Sequence, residues 1–242
     1  MMSEKMIKDK LIAAAVHIVF SIILTLISYI LIYQVWYSYP FNIIYNVESV
    51  FILLLLVDLI LGPLLTFIVY KKGKKTLKLD LTVIVVLQLA AYTGGMWNIA
   101  QARPAWLVNH KDVVYAITPA FINNPEHHFK RVSVLEQNWG MPKLVQVDPL
   151  IDDESVIYDV KNYSQLNYLH LKKDKIALAY VKQADEKFYN ALIEKYSSAE
   201  GYMPIITDAS NDIPILLLDK NGTPLGIELV KNELMVNGRS QH

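Results

Sequence analysis

The chain contains no cysteine. That absence excludes disulfides, thiol catalysis and cysteine-ligated zinc together, so any domain of it in an oxidising compartment rests on its own core. It also carries no phosphate-binding glycine loop, no GxSxG elbow, no HExxH pair and no two carboxylates on a convincing catalytic scaffold. An enzyme is therefore disfavoured, and no cofactor or metal is expected. Lysine and arginine are missing from residues 34–49, although they are dense on either side of the apolar runs that flank this stretch. What the chain has in excess is apolar surface: 53% of its 242 residues are hydrophobic. Its mean hydropathy of +0.28 is high for a soluble protein.

Three apolar runs account for the excess. Leu11 to Ile32, Val50 to Tyr70 and Leu81 to Ala100 each have the roughly 20-residue length that crosses a bilayer's hydrocarbon. The third ends at Arg103-Pro104, where proline stops a helix from continuing. The first leaves its apolar stretch through Tyr33-Gln-Val-Trp-Tyr37 instead of small residues, which reads as an uncleaved anchor and not a signal peptide. Lys5, Lys8 and Lys10 precede the first run, and Lys71, Lys72, Lys74, Lys75 and Lys78 join the second to the third. By the positive-inside rule both groups are cytoplasmic, so residues 104–242 emerge outside. Tyr33, Trp36, Tyr37, Tyr39, Trp97 and Trp106 fall near the proposed outer boundary, as interfacial aromatic rings do. The charges divide accordingly. Residues 1–103 hold nine Lys/Arg against five Asp/Glu, and residues 104–242 hold 14 against 18, which argues against nucleic acid as a partner of the second half.

The expected architecture is thus a helical membrane domain over 1–103, with three transmembrane helices (about 11–32, 50–70 and 81–100). A small α+β extracytoplasmic domain follows over 104–242, with a C-terminal β-hairpin and a flexible tail. Membrane lipid is a partner by necessity.

Within the membrane half, Asp58 stands out, because an ionisable group inside a span costs at least about 2.5 kcal/mol at mid-helix and needs a partner within the bundle. Counted at 1.5 Å per residue from the cytoplasmic end, Asp58 lies about 18 Å deep, Gln88 about 14 Å and Ser21 about 15 Å, so the three share a layer. They read as a polar clamp between helices; a partner contact or proton site is the sharper alternative. Gly62-Pro63 predicts a kink, since the proline removes a helix hydrogen bond and crowds the Leu59 carbonyl. Gly94-Gly95 permits close approach, and His17 reads as a hydrogen-bonded bundle residue.

In the second half, Trp106-Leu-Val and Val113 to Ile117 are rich in strand formers. Residues 184–199 place Phe188, Leu192 and Tyr196 at four-residue spacing with Gly201 as a stop, predicting an amphipathic helix. Ile213 to Leu218 and Pro224 to Val230 flank Asn221-Gly222 and read as a hairpin. Short connections suggest an antiparallel sheet, and Pro214 suggests a place at an edge or outside the central ladder, where a partner strand is one use. The Asp152-Asp-Glu154 run is a solvated loop and not a calcium site, and His127-His128 are surface residues.

The order Asp58-Leu-Ile-Leu-Gly-Pro-Leu-Leu-Thr66, Gly73-Lys74-Lys75, Leu77-Lys-Leu-Asp80-Leu81, Arg103-Pro104 resembles the type IV pilin accessory proteins of the TfpX/TfpZ group. The likeness covers about a quarter of the chain, and its family-motif positions are Asp58, Gly62, Pro63, Lys74, Lys75, Asp80, Arg103 and Pro104. It implies a bacterial inner-membrane, non-enzymatic accessory factor or chaperone that supports assembly or dynamics of type IV pili through the cognate major pilin. Other inner-membrane pilus components are further partners on that reading. The chain does not read as a pilin itself, because no basic leader with a cleavage point and following glutamate precedes the first run. The alternative from the residues alone is a membrane-anchored periplasmic binding or sensing protein.

Overall fold

The computed structural model describes residues 2–126, 130–207, 209 and 212–230. His127-His128 and the expected tail after Val230 lie outside these. In chain order the helices are α1 (Met2–Ile30), α2 (Phe41–Ile44), α3 (Val47–Leu56), α4 (Gly62–Val69), α5 (Leu77–Ala102), α6 (Pro119–Asn123), α7 (Tyr168–Asp174), α8 (Ala179–Ala184) and α9 (Glu186–Lys195). The strands are β1 (Trp106–His110), β2 (Val113–Ile117), β3 (Lys143–Gln146), β4 (Ile176–Ala177), β5 (Gly201–Ile206), β6 (Ile213–Leu218) and β7 (Pro224–Val230). The chain divides into two compact units, residues 1–35 with 46–101, and residues 36–45 with 102–242.

The first unit holds three helical stretches long and apolar enough to cross a membrane: Glu4–Trp36, Val47–Val69 and Leu77–Ala102. Large apolar side chains cover their outer faces, among them Phe20, Leu53, Ile68 and Leu87. A helix hydrophobic all round belongs in a core or in lipid. The second stretch is not a plain α-helix. Val57–Leu61 forms a π-turn in which the Gly62 amide reaches back to the Val57 carbonyl, and α4 then resumes with Pro63 in its first turn. The sequence places the proline's damage at Leu59, one turn back. In the π register the bond that Pro63 has no N–H to make belongs to the Asp58 carbonyl. That carbonyl instead accepts a hydrogen bond from Ser21 Oγ of α1 at 2.9 Å.

The second unit is built on a seven-stranded sheet of order β3-β1-β2-β5-β6-β7, with β4 paired to β5. The sheet is mixed and not antiparallel throughout: β1 runs parallel to β3 and β2 parallel to β5. Chain length permits this, because β2 and α6 intervene between β1 and β3, and most of the α-helical connections lie between β2 and β5. The β6/β7 hairpin has the expected bounds, with Gly222 at φ +84° in the turn. Pairing of β5 to β6 stops at Ile215, so Pro214 sits beyond the central ladder and pairs only with β7. The amphipathic helix is shorter than the 184–199 spacing suggests. Asp185 caps it by accepting the Phe188 amide at 2.8 Å, it ends at Lys195, and Gly201 opens β5 instead of terminating the helix.

Residues 36–45 pack into this sheet's core. Phe41 and Ile44 join Leu107, Val114, Met203, Ile205 and Leu218 in one buried cluster. Trp36, Tyr37 and Trp106, which the sequence suggests as interfacial rings, are buried here, whereas Tyr39 and Trp97 stay exposed. Burial of a large ring in a protein core competes with the interfacial preference, and composition alone does not distinguish the two.

Candidate functional site

Ser21, Asp58 and Gln88 come together in the first unit. Ser21 reaches Asp58 through the backbone carbonyl freed by the π-turn, not through the carboxylate that sequence reasoning emphasises. On the same face of α1, one turn earlier, His17 Nδ1 lies 2.9 Å from Thr66 Oγ1 of α4. A Cβ placed on Gly62 would collide with Gln88 Nε2 and stand 2.7 Å from His17 Nε2. Glycine here lets polar groups of α1 and α5 converge on the middle helix. Pro63 beside it is buried. Of the Gly94-Gly95 pair only the second serves close approach: Gly95 packs on the Leu54 side chain, and Gly94 meets open space.

These polar groups line the floor of a cavity of about 770 Å³ between α1 and α5. Its walls are mainly apolar, including Ile12, Val16, Phe20, Ile23, Val85 and Leu89, with Asp9, Tyr70 and Tyr92 also lining it. His17 is the residue of this layer that the sequence leaves out of the clamp. Its signal was its place four residues before Ser21, one helical turn away on the same face.

The other motif positions lie elsewhere. Gly73 turns the lysine-rich loop at φ +84°. Lys74 pairs with Asp80 at 2.6 Å, and Thr76 Oγ1 donates to the same carboxylate at 3.0 Å; Lys75 is exposed. Arg103 belongs to the second unit, where it is 0% exposed. Its guanidinium stacks over the rings of Trp139 (4.4 Å) and Trp36 (5.7 Å). It donates to the Asn138 carbonyl from Nε at 3.2 Å and Nη2 at 2.6 Å. Burial pulls its pKa down to about 10, partly opposed by Tyr37. Pro104 is buried next to it.

A second polar centre was not legible as a site. Glu228 of β7, 9% exposed, accepts Tyr39 Oη at 3.0 Å, Lys195 Nζ at 2.6 Å and Tyr196 Oη at 3.0 Å. The hydrogen bond to Glu228 raises the Lys195 pKa, whereas burial is the first cause of the rise at Tyr39 and Tyr196. Gly226 makes room for it, since a Cβ there would stand 2.5 Å from Tyr196 Oη. The Gly-Ile-Glu pattern thus sets a tyrosine ring over the glycine with its hydroxyl on the glutamate. A carboxylate on the inward face of an apolar strand is the signal that flags such a centre. A cleft of about 790 Å³ also borders β3, lined by Leu144, Gln137, Tyr163 and Tyr168 among others. Among the described residues no group of three or more His, Asp and Glu is placed to hold a metal. Asp153 caps a short helical turn through the Ser155 amide, and Asp152 pairs with Lys111 at 3.0 Å.

Comparison with known proteins gives a direction. The chain is 34% identical over 103 residues to the fimbrial assembly protein of serogroup E1 from Dichelobacter nodosus, covering 42% of this chain and 40% of that one. It is 32% identical over 107 residues to the serogroup I protein of the same organism, covering 43% and 42%. With the fimbrial assembly protein of serogroups C1 and C2 it shares 33% identity over 103 residues, and the match takes in 79% of that relative. The chain belongs to the fimbrial assembly protein family. Its match spans about two fifths of the length of the first two family members. No family model matches the chain, and no solved structure does.

Proposed function

We propose that this fimbrial assembly protein is a multi-pass inner-membrane accessory factor of the TfpX/TfpZ type. It supports assembly or dynamics of type IV pili by contacting the cognate major pilin. The observation that carries the reading is the 33% identity across 79% of a fimbrial assembly protein. Three stretches of spanning length support it. With lysines on the cytoplasmic side, the N-terminus and the 71–78 loop face the cytoplasm and the sheet unit faces the periplasm. The factor works without catalysis, by holding partners in place: the helices present apolar faces within the membrane, and the sheet unit presents a folded surface outside it. Deleting the gene is expected to reduce or alter surface piliation and twitching while pilin abundance is unchanged. Normal piliation and twitching in the deletion strain would sink the reading.

A second reading, a membrane-anchored periplasmic binding protein, draws on the cleft of about 790 Å³ beside β3. It predicts ligand-dependent thermal stabilisation in a chain that makes no pilin contact.

A further inference from the structure

We propose that the slot between α1 and α5 seats one membrane-spanning helix of another protein, and that this helix brings a hydrogen-bonding side chain to its own mid-point. The inference rests on the reading that the chain works in the membrane, and it names the class of partner that reading needs. Length is the first argument. The slot is lined along α1 from Asp9 to Ile27, about 27 Å at 1.5 Å per residue, which nearly equals the roughly 30 Å of bilayer hydrocarbon.

Depth is the second. Ser21, Asp58 and Gln88 each fall within two residues of the mid-point of their spans, Glu4–Trp36, Val47–Val69 and Leu77–Ala102, and all three line the slot together with His17. A cluster of polar groups therefore sits at the centre of the membrane, with Thr66, Tyr70 and Asp9 of the lining lying toward one end of the slot. A lipid tail fits neither feature. Tails of one leaflet fill about half the hydrocarbon thickness, and they carry no donor or acceptor to its middle. A transmembrane helix matches the full length, and helices in lipid associate through close packing and polar side chains of this kind. Intramembrane ionisable groups face such interiors and mark function there.

The test uses the full chain in its native host, with photoreactive benzoylphenylalanine introduced singly. Ile23 and Leu89 line the slot, whereas Leu26 and Val86 are exposed without lining it. Irradiation is expected to give adducts at Ile23 and Leu89 at least fivefold stronger than at Leu26 and Val86. Mass spectrometry should map them to an apolar segment of at least about 18 residues with a polar residue within two positions of its centre. Val16→Trp, and separately Val85→Trp from the opposite wall, should abolish the adducts at normal chain abundance. Adducts with lipid alone, equal adducts at all four positions, no adduct, or adducts that survive both tryptophans overturn the proposal. Fimbriae are counted on the same strains. Normal fimbriation on gene deletion defeats the functional reading without touching the crosslinks, while absent crosslinks with lost fimbriation defeat only the slot.

Discussion

Arg103 has no exposure to water, and what replaces its hydration is directional: two N–H bonds to one carbonyl and two indole faces. A planar guanidinium meets both demands at once, whereas a lysine ammonium, a point charge without the planar fork, cannot donate from two nitrogens and stack flat on the indoles together. The carbonyl it holds belongs to Asn138, whose own amide donates to Ala105 O at 2.8 Å and Met141 O at 2.7 Å. Trp36 Nε1 donates to Trp139 O at 2.9 Å. One arginine thus ties the end of α5, the 36–45 segment and the loop before β3. Arg103→Lys is expected to lose charge-assisted hydrogen bonding and stacking worth about 2 kcal/mol or more. Thermal unfolding of the full chain in detergent, followed by tryptophan emission, should show a lowered midpoint and altered emission, because Trp36 and Trp139 are the groups released. The arginine was legible as a motif position, but its role was not. Arg-Pro at the end of an apolar run reads as a membrane exit, and nothing local indicates two tryptophans converging on it from 67 residues upstream and 36 downstream.

At the scale of elements, the β6/β7 turn depends on one carboxylate. Asp219 Oδ1 accepts the amides of Asn221 at 2.8 Å and Thr223 at 2.7 Å, and these bonds hold its pKa below the usual carboxylate value. A depressed folded value means that the group's stabilising effect is present above its unfolded pKa, near 3.9. That effect is lost as pH falls through the lower folded value. Amide-exchange protection at Asn221 and Thr223 should therefore be level through neutrality and decline below about pH 4, and Asp219→Asn should remove that decline. The hairpin was legible to the residue because turn chemistry is local: Asp, Asn-Gly and two strand patterns suffice. The π-turn at Val57–Leu61 was not, because it depends on which carbonyl Ser21 of another helix can satisfy. Helix α9 falls between these cases. Its face was legible from Phe188 and Leu192, but its end was not, since the first residues after it pack into a cluster with Tyr202 and Leu217 instead of meeting a glycine stop.

For the whole molecule, connectivity constrains topology independently of lysine counting. Residues 36–45 and 102–230 share one core, and Tyr39 bonds Glu228 across 189 positions. Between those two segments the chain runs through two stretches of spanning length, Val47–Val69 and Leu77–Ala102. A shared core requires both segments to be on one side of any membrane, so the intervening stretches must cross an even number of times: both or neither. One crossing alone would tear the unit apart, and the two stretches, of 23 and 26 residues, are each long and apolar enough to cross. The absence of cysteine makes this directly measurable, since any single introduced thiol is the sole target. Ile43→Cys lies in the first segment and is exposed, Asp112→Cys lies at an exposed turn of the second, and Lys75→Cys lies in the exposed lysine loop. In spheroplasts, a membrane-impermeant maleimide is expected to label the cysteines at 43 and 112 from outside. The cysteine at 75 should label only after permeabilisation. Labelling of 43 and 112 from opposite faces would contradict the shared core, whereas labelling of both from the cytoplasmic face would keep the core and reverse the orientation given by the lysines.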